Sequence, residues 1–372
     1  MMTILRIAAL LLALSASLPA SAQLRADMAA PARGCRTAEE MLASQRAASG
    51  PSGVALDCRA VFDIVTDNDF YASKTDHWYS AGHRLSYLTP EQQQQDLPGP
   101  VRWLDEQLES MGWFGPANTR YGISLGQSIY TPTNLVPHNP DPKDHPYGGY
   151  AYFDLTMMRR TANYQDRFVV QLGLFGPGSW GRNSQDFVHG LLNQPVGHGW
   201  KYQIRQEWVS GLGWDRVWRL PMNEGTLPWG MEADALPSMA VMASNANVYG
   251  QLGGRLRLGR ALAMDYGPGR IRPGAGDSTP IFGDGRLGWY VFGGLAGRAV
   301  GRDISIEGNS FKPSRGLDVQ RGVADFDLGA ALLIPLGERY MRLAYTQDWR
   351  TQEFVGQKRY FLYGSLNLSY AW

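Results

Sequence analysis

The sequence has only two cysteines, Cys35 and Cys58, no excess of either charge, and no long apolar run after its first residues. Each shortage excludes something. Two cysteines cannot build a disulfide scaffold or a multi-cysteine zinc site. A formal net charge of +1 gives no general attraction for nucleic acid. A spanning helix needs ~20 consecutive apolar residues, and nothing downstream of the N-terminus approaches that length.

The N-terminus itself reads as an address. Arg6 precedes an apolar run from Ile7 to Leu14, and Ala20-Ser21-Ala22 offers a small-x-small cleavage site. This pattern is a secretory signal over residues 1–22, cut before Gln23. Residues 23–60 are then expected as an N-terminal periplasmic segment, either a tail or a partial plug, with the folded unit at 61–372. An exported chain with an even cysteine count favours a Cys35–Cys58 disulfide.

Glycine, at 44 of 372 residues, and aromatics, at 12%, are plentiful. They accompany period-two alternation that runs to the last residue. Tyr121, Ile123, Leu125 and Ile129 alternate with Gly122, Ser124, Gly126 and Ser128. Tyr202, Ile204 and Trp208 alternate with Lys201, Gln203, Arg205 and Glu207; Leu252, Leu256 and Leu258 with Gln251, Arg255 and Arg257; Met341, Leu343 and Tyr345 with Arg342 and Thr346. A soluble sandwich alternates too. The last strand decides: Leu362, Leu366, Leu368, Tyr370 and Trp372 share one face, and the chain ends on an aromatic, as in an outer-membrane barrel with aromatic girdles. Thirteen strand starts can be marked, near Val61, Ser80, Arg120, Gly149, Arg167, Lys201, Trp214, Met239, Gly250, Leu287, Arg321, Arg339 and Arg359. An even number is expected, so the fold expected is an all-β, twelve-stranded antiparallel transmembrane barrel. Glycine and proline obscure the boundaries between Arg260 and Ser314.

Two stretches have helical spacing instead. Pro98–Gly112 places Val101, Leu104, Leu108 and Met111 on one side, and would lie against the membrane surface or at the barrel mouth; Gly178–Leu192 sets Gln185 and His189 four apart on one face. If the first strand leaves the periplasm, every odd-to-even connection lies outside the cell. The polar stretch VTDNDFYASKTDHWYSAG (residues 65–82), Thr131–Gly148 and Gly176–Gly199 then converge on the external rim, with all six histidines in or beside them. His77, His83, His138 and His198 read as ordinary polar loop residues, and His145, between prolines, as a turn-ordering residue. Asn68, Asp69 and Ser80 offer hard oxygen ligands of the kind calcium prefers, although Asp-Asn-Asp is as often a turn.

Four pieces in order carry a family resemblance: Asn68-Asp69 with Thr75-Asp76-x-x-Tyr79-Ser80-x-Gly82; Gly126-Gln127-x-Ile129-Tyr130-Thr131-Pro132; Pro146-Tyr147-x-Gly149-Tyr150; and Gly176-Pro177 with Gln185-x-x-x-His189 and Gly199-Trp200. They cover about the first half of the mature chain, which resembles the lipid A 3′-O-deacylase (LpxR) family of Gram-negative outer membranes. The resemblance implies a calcium-dependent ester hydrolase that removes the 3′-linked acyloxyacyl chain from lipid A in lipopolysaccharide. By motif, His189 would activate water with Gln185 beside it, Asn68 and Asp69 would serve the metal and oxyanion region, and Ser80 would stand where relatives carry threonine. Lysine and arginine expected at the rim, Lys74, Arg84, Lys143 and Arg182, could meet substrate phosphates. A member of that family has an acidic residue six positions after its histidine; here Pro195 stands there with Gln194 beside it, leaving Asp186 or Glu207 as substitutes. The implied partners are lipid A and outer-membrane lipids, with no nucleic acid, and the chain is expected to act as a monomer.

Two rival readings have their own residues. A barrel phospholipase carries His and Ser two apart on a strand, whereas His83 and Ser86 are three apart and so on opposite faces. A passive barrel would use Arg255, Arg257 and Arg342 to line a wet lumen.

Overall fold

The computed structural model describes residues 52–72, 77–223, 227–272, 275–276, 280–283 and 285–372. Lys74, Thr75, Asp76, residues 1–22 and Cys35 lie outside the described residues; Cys58 is disulfide-bonded.

Twelve long strands form one closed antiparallel sheet: β1 Val61–Asn68, β2 Trp78–Leu88, β3 Asn118–Thr131, β4 Gly148–Arg160, β5 Tyr164–Phe175, β6 Glu207–Trp218, β7 Glu232–Ser244, β8 Asn247–Arg260, β9 Gly288–Asp303, β10 Gly322–Leu336, β11 Arg339–Arg350 and β12 Phe361–Ala371. Each pairs with its neighbour in sequence, and β1 pairs with β12 to close the ring. The expected alternation holds on the wall: Leu125, Leu172, Leu212, Leu252, Leu295 and Leu328 point outward and are exposed. Such a band suits lipid. Both termini of the sheet lie at one end, where Ala60 and Trp372 exchange backbone hydrogen bonds; the other end is called the rim below.

One expected strand is overturned. Lys201–Trp208 alternates in sequence, but Trp200–Tyr202 is a 3-10 turn and β6 begins only at Glu207. Burial of Trp200 and Ile204 in the loop, rather than a pleat, sets that spacing. The starts marked at Lys201 and Trp214 are one strand, which removes the thirteenth.

The lumen is filled. The connection from β8 to β9, which glycine and proline made hard to read, folds into the barrel. Its Leu262, Met264 and Ile281 pack with Val61, Leu333 and Tyr340 at the terminal end, while Ile271 reaches Tyr79, Tyr130 and Phe361 near the rim. Inward arginines pair with it instead of lining water. Arg257 binds Asp234 at 2.6 Å and Asp265 at 2.7 Å, Arg342 reaches Asp265 at 3.0 Å, and Arg270 of the plug bonds Asp327. Despite burial, the Arg342 and Arg257 guanidiniums hold the Asp265 carboxyl below its ordinary range. A cavity of about 60 Å³ beside Arg167, Arg255 and Tyr266 has room for a few waters, not for an open channel.

Two helices lie on the outside of the wall. α1, Gly99–Ser110, belongs to the β2–β3 connection. Its Asp105 accepts from Arg159 at 2.6 Å and Thr119 at 2.9 Å, both on outward positions of β3 and β4. Leu108 and Phe114 pack on Met157, so the helix lies on the wall at the terminal end. α2, Gly181–Leu192, follows β5 at the rim.

Candidate functional site

The path to α2 is set by glycine. Gly176 has φ of +95°, a conformation a side chain would strain. Gly149 of β4 and Gly181 of α2 then nearly touch: a Cβ on Gly149 would lie 3.0 Å from the Gly181 Cα and 2.2 Å from the Ser179 Oγ. Gly149 is an outward position, so α2 stands on the outer face of the wall. A second tie comes from β3, where Gln127 Nε2 donates to the Ser179 carbonyl at 2.6 Å.

On α2, Gln185 is buried and its Oε1 accepts from Trp200 Nε1 at 2.8 Å. Trp200 is itself buried against Tyr147, with ring centroids 4.9 Å apart. That bond turns the Gln185 amide so that its NH2 is directed away from Trp200. One turn on, His189 closes the helix: its carbonyl accepts from the amides of Asn193, which is left-handed at φ of 53°, and Gln194. The chain thereby folds back, and His189 Nδ1 lies 2.5 Å from the Pro195 carbonyl oxygen. A carbonyl only accepts, so Nδ1 carries the proton and a neutral ring keeps its lone pair on Nε2.

The two carboxylates considered as substitutes are engaged elsewhere. Asp186 pairs with Arg182 at 3.3 Å, and Glu207 accepts from Asn245, Asn309 and Ser310 at 2.9–3.1 Å. Pro195 contacts the histidine through its backbone carbonyl.

The other half of the site sits at the top of β1. Asn68 caps the 3-10 turn Asp69–Tyr71, accepting from the Phe70 amide at 2.7 Å. Asp69 is buried and accepts from the His77 amide at 2.9 Å. A bulge between Tyr79 and Ala81 brings Ser80 onto the outward side, 2.5 Å from the Thr131 hydroxyl.

The two halves share a face. Asp63 points inward toward Arg342, so by alternation Asn68 points outward. The pairing runs Asn68 to Ala81, Ala81 to Ile129, and Ile129 to Gly149; Gly149 carries α2. At ~4.8 Å per strand, Asn68 and the foot of α2 are ~14 Å apart. The outward strip between them runs through the buried Ala81 and Ile129, with Asn68, Asp69 and Ser80 on one side and Gln185 and His189 of α2 on the other; this strip is called the groove below.

Other expected residues fall as follows. Lys143 lies exposed in the β3–β4 loop, its amide bonded to Asp141 at 2.9 Å. His145 is buried, stacks on Tyr130 at 5.8 Å, and bonds its own turn through the Pro146 carbonyl at 2.8 Å. Burial holds its ring below the ordinary imidazole range, against the opposing pull of the Pro146 carbonyl. His138 and His198 face each other with ring centroids 5.1 Å apart. His83 is not a loop residue: it lies within β2, outward and exposed, whereas Ser86 is buried on the inner side, so the two cannot form a serine–histidine pair. Sequence reasoning missed Trp200 as the partner of Gln185, although Gly199-Trp200 was one of the recognised pieces.

The residues at the rim supply oxygen donors of the type calcium takes, in Asp69, Asn68 and Ser80. No group of three or more acidic, histidine or cysteine side chains clusters as a metal site among the described residues, so carbonyls, hydroxyls and water would have to complete such a shell.

A closed twelve-stranded barrel with a lipid-facing belt, a filled lumen and a polar groove on its outer wall defines an outer-membrane β-barrel protein. The family model described as "Outer membrane protein LpxR" matches residues 14–372. The chain belongs to the LpxR family. Among solved structures it is similar to LpxR from Salmonella typhimurium, with a TM-score of 0.66 at 16% identity, covering 83% of this chain and 99% of that one. The β-domain of the Bordetella autotransporter BrkA is more distant, at a TM-score of 0.43 and 11% identity, covering 84% and 98%. No curated protein matches by sequence.

Proposed function

We propose that the chain is a lipid A 3′-O-deacylase, exported by residues 1–22 and acting at the outer leaflet as a single chain. One observation carries this reading: Asn68, Ser80 and the helix bearing Gln185 and His189 share the lipid-facing side of the wall, where an acyl chain can stay in the membrane while its ester meets polar groups. A serine lipase reading lacks a nucleophile beside His83, and an open-pore reading meets a filled lumen.

The chemistry follows from the side chains. His189 Nε2 takes a proton from water as hydroxide adds to the ester carbonyl. The tetrahedral oxyanion needs donors, and the Gln185 NH2, oriented by Trp200, serves that role. Collapse breaks the bond to the sugar oxygen, which takes the proton back from the imidazolium. The products are an acyloxyacyl fatty acid and a free 3′-hydroxyl. Asn68, Asp69 and Ser80 would hold calcium, which when bound supplies a positive charge for the developing oxyanion. Lys143 is placed in a rim loop to meet phosphate.

Purified protein in detergent micelles with hexa-acylated lipid A tests the reading. Release of the acyloxyacyl acid, lost on chelation and restored by calcium but not magnesium, is the expected result. Hydrolysis indifferent to chelation would remove calcium from the account.

A further inference from the structure

His83 stands where a histidine is least expected, exposed on the outward face of a barrel strand. Its same-face neighbour toward the terminal end is Leu85, 45% exposed, and Leu125 of the adjoining strand is 60% exposed, so this wall is apolar. Ionisable groups on a lipid-facing surface are costly unless something polar in the membrane meets them. Its Nδ1 bonds the Thr66 hydroxyl at 2.9 Å, and the described residues offer Nε2 no hydrogen bond.

Its place in the sheet is specific. Thr66 pairs with His83, and His83 with Gln127, so three polar side chains cross three strands in one outward row. Gln127 ends that row at the Ser179 carbonyl, at the foot of α2. The row directly toward the rim holds Asn68, Ala81 and Ile129, about 6.6 Å away along the strands. His83 therefore lies on the outer wall one row further from the rim than Asn68, in the row that ends at the foot of α2. In a glycolipid leaflet that depth, just beneath the sugar, holds the acyl esters and the hydroxyls next to them.

We propose that the Thr66–His83–Gln127 row is a binding site for the ester-bearing part of an acylated glycolipid, and that His83 is a substrate-positioning residue. It donates or accepts one hydrogen bond through Nε2 and so sets which ester lies opposite His189. This deepens the deacylase reading and rests on it for the identity of the substrate. The inference explains why a polar strip crosses the outer wall where α2 is anchored.

The test compares His83→Phe and His83→Gln with wild type, each checked for heat-modifiable folding. In mixed micelles of lipid A, His83→Phe is expected to lower kcat/KM about tenfold, the size of one net hydrogen bond, chiefly through KM, and His83→Gln to recover most of it. A second arm does not require turnover. His189→Ala protein in nanodiscs, with and without His83→Phe, is scored by native mass spectrometry for retention of lipid A against phosphatidylglycerol. Loss of the lipid A preference with His83→Phe supports the site. If wild type hydrolyses nothing yet His83→Phe still abolishes that preference, the deacylase reading fails while the binding site stands. An unchanged preference, or an unchanged kcat/KM in active protein, overturns the proposal.

Discussion

The two wall helices, each of twelve residues, lie on the same sheet at opposite ends and use polar groups in opposite ways. On α1 the charges are consumed. Asp105 and Arg159 are both fully buried, and Asp105 also receives Thr119 and Gln94, each at 2.9 Å. On α2 the contact with the wall is glycine on glycine, Trp200 fixes the Gln185 Oε1, and the Pro195 carbonyl fixes the His189 Nδ1. Paired charges hold α1 in place, whereas the two bonds on α2 orient an amide and an imidazole without neutralising a charge. The outward faces differ too. Phe187 and Leu191 of α2 are exposed, on the helix face opposite Gln185 and His189.

The comparison breaks most sharply at His189. His189→Ala should lower turnover by ~10²–10⁴, the range for loss of a general base, without moving the unfolding midpoint. The converse holds at α1. Arg159→Ala leaves Asp105 buried with its charge unpaired, and should cost about 3–5 kcal/mol in urea titrations in detergent while per-molecule kcat stays at the wild-type level. Equal effects on activity at both ends would erase the contrast. Gly149→Ala sharpens it: the added methyl must displace Ser179 or Gly181, costing about 1–3 kcal/mol as overpacking, and by lifting α2 it should reduce kcat/KM more than stability. Trp200→Phe removes the bond that orients Gln185 and should cost about tenfold in kcat, with KM little altered.

The smallest effect concerns pH. The folded-state value of His145 is depressed below 6.5, chiefly by burial. The unfolded chain therefore binds more protons in the window below 6.5, so the contribution is full above it and declines as pH falls through the lowered value. Hydrogen-exchange protection in residues 132–147, corrected for the intrinsic pH dependence of exchange, should fall as pH is lowered from ~7.5 to ~5.5, and His145→Phe should flatten that dependence.

Much of the barrel was legible because a one-residue pleat writes itself into alternating side chains. Strand order then put three polar connections at one rim without any knowledge of the lumen. Alternation misled at Lys201–Trp208, where tertiary burial of Trp200 and Ile204 imitates a pleat. The plug was hidden because its burial depends on partners such as Asp327 and Arg342 contributed from distant strands. At the site, the residue types of Asn68, Asp69, Gln185 and His189 were readable, but the outer-wall groove was not, since it arises from register across β1 to β4. His83 could have been placed by parity: it alternates outward with Leu85 and Tyr87, while Gly82, Arg84 and Ser86 face in. The Pro195 carbonyl had no signal, because a backbone atom leaves no trace in residue type.

The most direct measurement is mass spectrometry of lipid A from a Gram-negative host expressing wild type or His189→Ala, both shown folded in the outer membrane. The account predicts loss of one 3′-acyloxyacyl unit with wild type and intact lipid A with the variant. Intact lipid A in both, or the same loss in both, would contradict it.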